Sequence, residues 1–154
     1  MATARSRKPL ISKESLRHIA EARLADAQLL CEAGRYAAAI YLGGYAVECY
    51  LKAAICKSLD WVELLGAFKT HDLEGLLKYS GFDRQLRSSP DVLESFSRST
   101  KLWSGQDTNG RAAEPTGIRY SLPAEFDKQR ADDFFKWLND PDAGVIPWLR
   151  NRID

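Results

Sequence analysis

The chain has 154 residues, 45% of them hydrophobic and 28% charged, with a formal net charge of +1. That length carries one domain with a real core. Near-neutrality excludes a global basic field that would recruit nucleic acid, so any such contact needs a local patch. Cys31, Cys49 and Cys56 are odd in number, sit at apolar helical positions and form no C-x-x-C pair. They read as reduced thiols of a cytoplasmic protein. His18 and His71 have no ligand-like spacing to any cysteine, so neither metal nor cofactor is expected.

Residues 1–8 are basic and no signal-peptide core follows them, which predicts a flexible tail over 1–11 ahead of one helical domain at 12–154. The first predicted helix covers 12–33. Ser12 or Ser15 caps it, with Ser15 standing where an ideal capping box would place Glu. Leu16, Ile19, Ala20, Leu24, Ala27 and Leu30 form its apolar stripe, and Gly34 stops it. A second helix over 35–58 follows at once, so the two make a long antiparallel hairpin. It is apolar nearly all the way round, the mark of a central buried helix. Its uncharged run, 36–47, is about half of what a bilayer requires, so no membrane span is expected. Gly43 and Gly44 lie in its middle at a cost in helix propensity, which predicts close approach of a neighbouring helix.

A third short helix is expected near Thr70, with Thr70 as cap and Gly81 as stop. A fourth is expected from Pro90 to about Trp103. The stretch 104–120 reads as a long functional or irregular loop. A fifth helix is expected over about 121–139, broken by Pro141, and the apolar tail 145–149 should pack on the bundle or on a second subunit. No strand signal is convincing. The predicted class is all-α: an up-and-down helical bundle of four to five helices with a long helical hairpin at its N-terminus.

One polar spot stands out. Glu48 and Lys52 are four residues apart on the apolar helix, on the face of Tyr41, Gly44, Tyr45 and Ile55. A carboxylate there must be paired or protonated. The pair is either a structural ion pair at a helix seam or a fixed polar site inside the bundle. Arg23, mid-stripe on the first helix, lies within about one turn of Glu48's level and is a possible partner. His71 sits at a helix start, either as a surface imidazole or as a group that donates, accepts or transfers protons. Arg119 and Tyr120 close the long loop. An arginine there can bind phosphate and a tyrosine can stack on a base; alternatively, Tyr120 anchors the loop and Arg119 pairs with an acid. P-loop, Gly-x-Gly-x-x-Gly, H-E-x-x-H and nucleophile-elbow patterns are absent.

Taken together these pieces resemble the HEPN domain, the higher eukaryotes and prokaryotes nucleotide-binding family. The resemblance runs over about 17–138. It rests on Ala22, Asp26, Ala27 and Leu30 of the first helix, the Gly34-Arg35-Tyr36 turn, Ala46-Val47-Glu48 with Leu51-Lys52-Ala53, Thr70-His71-Asp72-Leu73, and Arg119-Tyr120. It implies a helical bundle that dimerises, in a family often paired with a minimal nucleotidyltransferase in toxin–antitoxin-like modules. Other members cut RNA without metal and carry an Arg and a following His separated by four to six residues. Here Lys13, Ser12 and Ile11 hold the arginine positions before His18; Gly66, Leu65 and Leu64 hold those before His71. The ribonuclease motif is missing. The expectation is a homodimeric, non-catalytic module that binds a nucleotide, RNA or a nucleotidyltransferase partner. Ligand contacts would come from Glu48, Lys52, His71, Arg119 and Tyr120. The alternatives are a divergent metal-independent ribonuclease, with His71 and Arg119 rebuilding the missing pair in space, and a pure dimeric scaffold.

Overall fold

The structure is a computed structural model that describes residues 11–105 and 117–154. Of the expected tail, 1–10 lie outside the described residues, as does 106–116 of the expected loop. Ile11 is described, and its carbonyl accepts from the Leu64 amide at 2.8 Å. Seven α-helices and no strand occur among the described residues: α1 Lys13–Glu32, α2 Tyr36–Ser58, α3 Leu73–Ser80, α4 Asp83–Arg87, α5 Pro90–Ser104, α6 Lys128–Asn139 and α7 Val145–Ile153. The all-α expectation holds, with more helices than the four to five predicted.

The hairpin forms as its sequence dictates. Ser12 caps α1 in a capping box with Ser15, each side chain meeting the other's backbone N–H at 3.1 and 2.8 Å. Serine's hydroxyl thus does what glutamate does in the commoner form. Gly34 turns the chain at φ +73°, a left-handed conformation that glycine takes without strain. α2 is the central element: every residue from 46 to 56 is buried. It touches α1 most extensively, then α3, α7, α6 and α5. The glycine pair is explained by that crowding. A Cβ on Gly43 would meet the Phe134 ring at 2.8 Å, and one on Gly44 would meet the buried Trp103 indole at 2.3 Å.

Three sequence expectations need correction, and the expected packing of the apolar tail takes a definite form. α3 is capped by Asp72, whose carboxylate accepts from the Gly75 amide at 3.1 Å, and not by Thr70. Thr70 instead accepts from the Asp72 amide, tightening the approach. α4 is an additional helix between Gly81 and Ser88, too short to show a hydrophobic period. The fifth predicted helix does not run from 121: two 3-10 turns, Gly117–Tyr120 and Pro123–Glu125, precede α6. Pro123 disfavours helical backbone before it, and Asp127 caps the true start by accepting from the Arg130 amide at 2.9 Å. The apolar tail is itself a helix, α7, which buries Val145, Ile146, Trp148, Leu149 and Ile153 against the same chain.

Candidate functional site

One face of α2 carries Tyr41, Tyr45, Glu48 and Lys52 at spacings of four, three and four, so they line a single stripe. Glu48 is only 1% exposed. Its Oε1 accepts from Lys52 Nζ at 2.5 Å, and its Oε2 meets His71 Nδ1 at 2.8 Å. An ionised carboxylate can only accept, so Nδ1 is the donor, and in the neutral ring Nε2 is then the acceptor. His71 stands one residue before the Asp72 cap. That cap fixes where α3 begins and so presents the imidazole to α2. Its side chain is 41% exposed, against 10% for Lys52. The glutamate is therefore the floor, the lysine lies beside it and the histidine is at the mouth.

The other end of the stripe is held differently. Arg119 Nη2 donates to the Tyr41 hydroxyl at 2.6 Å, with the guanidinium 5.3 Å from the centre of that ring. The Tyr41 hydroxyl, by that bond, raises the Arg119 pKa further, so the side chain is permanently cationic. Tyr41 is itself positioned by Trp103: the rings stack at 6.5 Å, and the indole N–H donates to the Tyr41 carbonyl at 3.0 Å. That arrangement needs the gap left by Gly44. Tyr45 lies between the two ends, half-buried. Burial chiefly, then the charges of Cys49, Glu48 and Tyr41, push its phenol pKa up. Burial, reinforced by Glu48, pushes the Cys49 thiol to about 12, which leaves it an inert thiol.

The structure thus brings Glu48, Lys52 and His71 together. Arg119 sits with Tyr41, seven residues along α2 from Glu48, about 10 Å at the helical rise. No hydrogen bond or ion pair joins it to His71. Tyr120 is 80% exposed beside Arg119. Among the described residues Arg119 bonds to phenols and to no acid. Arg23 pairs with Asp26 on its own helix at 2.5 Å and makes no bond to Glu48. Among the described residues no group of three potential ligands could hold a metal ion. No helix there is long and apolar enough to cross a membrane.

Two features escaped the sequence reading. Tyr41 was visible on the Glu48 face, but its partnership with Arg119 spans 78 residues and left no local signal. A second glutamate cluster lies on the opposite side of α2. Arg150 of α7 grips Glu21 of α1 with two bonds, Nε to Oε1 at 2.8 Å and Nη2 to Oε2 at 2.6 Å. The buried Tyr50 hydroxyl donates to the same Oε1. A cleft of about 550 Å³ between α1, α6 and α7 opens beside Arg150, lined also by Leu24, Cys31 and Phe135, away from the Glu48 site.

A HEPN domain profile matches residues 13–137. That span runs from the first residue of α1 to near the end of α6 and contains every residue of the Glu48 stripe. The chain belongs to the HEPN domain family. α7 lies beyond the matched span. No curated protein and no solved structure matches the chain.

Proposed function

We propose that this HEPN-family chain is a homodimeric, non-catalytic binding module that holds a nucleotide or an RNA segment along the exposed edge of the Tyr41–Lys52 stripe. The observation that carries it is the Glu48 constellation. A carboxylate is buried at real desolvation cost, yet its two partners keep hydrogen-bonding capacity that no other described residue uses. Arg119 supplies a cation for phosphate and exposed Tyr120 a ring for stacking. The family's pairing with nucleotidyltransferases makes such a subunit the expected protein partner in a toxin–antitoxin-like setting.

Native mass spectrometry of protein purified gently from its own cells tests this. A dimer carrying a nucleotide, an RNA fragment or a nucleotidyltransferase subunit supports the reading. A clean, unliganded dimer favours a scaffold, and a monomer by light scattering at micromolar concentration refutes the dimer. One observation favours a ribonuclease instead: the Glu48 bond orients His71 with Nε2 outward, as a general acid/base requires. RNA cleavage in chelator, lost in the His71→Ala, Arg119→Ala double variant, would support that reading. Cleavage unchanged by the double variant would sink it.

A further inference from the structure

Resting on the nucleotide-binding reading, we infer which way round the ligand lies. The base edge meets Lys52 and His71, and the phosphate meets Arg119 at the other end of the stripe. Charge decides the phosphate's place. Lys52 and Glu48 cancel each other across 2.5 Å. A phosphate at that end would face a carboxylate that is 1% exposed and so little screened by water. Arg119 has no carboxylate partner among the described residues. Its bonds go to the Tyr41 and Tyr120 phenols, which do not cancel its charge, and the side chain is exposed.

Hydrogen-bonding capacity decides the base's place. Lys52 has three N–H donors and meets one acceptor, Glu48, although its side chain is nine-tenths buried. Its other donors are reachable only at the tenth of the side chain that is exposed. The neutral imidazole, with Nδ1–H given to Glu48, offers Nε2 as an acceptor beside it. A donor next to an acceptor complements the edge of a nucleobase, where an acceptor adjoins an N–H. A phosphate, which offers oxygens, would leave Nε2 facing a lone pair. Glu48, which Lys52 and His71 both bond, and Tyr41, which Arg119 bonds, are about 10 Å apart along α2, the length of one nucleotide from base edge to phosphate. Tyr45 lies between them on the same stripe of α2, half-buried. Its ring is placed to cover the ribose.

Isothermal titration calorimetry with uridine, uridine 5′-monophosphate and ribose 5-phosphate tests the orientation on the full-length protein. Lys52→Met should weaken uridine and the nucleotide about tenfold, the loss of one charged hydrogen bond, and leave ribose 5-phosphate within about twofold. Arg119→Gln should weaken the nucleotide and ribose 5-phosphate and spare uridine. Should Lys52→Met unfold, Glu48→Gln with Lys52→Met removes both charges together and serves in its place. The opposite pattern, or equal losses for all three probes, overturns the orientation and leaves the binding-module reading standing. Absence of nucleotide binding overturns the orientation too. The native mass spectrum then shows separately whether the module reading survives.

Discussion

Two glutamates sit on opposite sides of α2, and the protein treats them differently. Glu21 and Arg150 are each about half exposed, with side-chain exposures of 48% and 38%. Their double bond, completed by Tyr50, ties α7 to the helical hairpin. Both Glu21 oxygens and the phenol are spent on one another. Glu48 is buried outright, but its partners are left with unused capacity. Glu48 and Tyr50 are only two residues apart, about 200° around the helix, so the contrast arises within a single turn. The closed cluster is what a structural clasp looks like: modest desolvation and complete pairing. The open one pays more desolvation for less internal bonding, which makes sense only if something else completes it.

The sharpest way to break this contrast is to remove the buried carboxylate. Glu48→Ala leaves the Lys52 ammonium buried without its counter-charge, and the expected loss is about 3–5 kcal/mol of unfolding free energy. Urea titration of both proteins measures it. Glu48→Leu with Lys52→Met should recover most of that loss, because well-packed apolar residues commonly replace a buried ion pair without cost. A double variant as unstable as Glu48→Ala would show that the pair is structural, and the comparison with the clasp would collapse.

Gly44→Ala comes next in size. Its methyl group would overlap the Trp103 indole, whose position is fixed by burial and by the bond to the Tyr41 carbonyl. Overpacking of this kind costs about 2 kcal/mol after the gain in helix propensity is set against it. The effect should be one-sided. Indole fluorescence and the amide signals around Tyr41 and Arg119 should shift, while those around Glu21 and Arg150 stay in place. Uniform shifts would mean that α2 moves as a rod and that the two clusters are not separable.

How far the sequence reveals this follows from the range of each interaction. The hairpin was legible because its signals are local: a Ser12 cap, a 3.6-residue stripe, Gly34 and a near-uniformly apolar second helix. The Glu48–Lys52 pair was legible for the same reason, being four residues apart. His71 joined them only through the family resemblance and the chain's return. Nothing local announces that a residue 23 positions downstream meets Glu48. The clasp was invisible, since Glu21 and Arg150 are 129 residues apart and read singly as ordinary surface charges. The start of α6 was misplaced because Leu122 and Phe126 carry the apolar pattern across the second 3-10 turn. There the proline and an aspartate cap outweighed the apolar pattern.

The smallest expected effect tests whether the clasp is as closed as its geometry indicates. Tyr50→Phe removes one buried hydroxyl and leaves the two Arg150–Glu21 bonds, at a cost of about 1 kcal/mol near neutral pH. Burial first, then the bond to the Glu21 carboxylate, raises the Tyr50 pKa from 10.0 to about 12. The unfolded chain therefore releases this proton before the folded chain does. Stability resting on the neutral phenol is intact below pH 10.0 and drains away as pH rises toward about 12. Tyr50→Phe has no such proton, so the gap between variant and parent should narrow across that window. Urea midpoints at several alkaline pH values follow it, with the variant subtracting what other tyrosines and lysines contribute. A constant gap would mean that the hydroxyl titrates alike in both states. The phenol would then be no better sheltered than one in water, and Glu21's cluster would be as open as the one around Glu48.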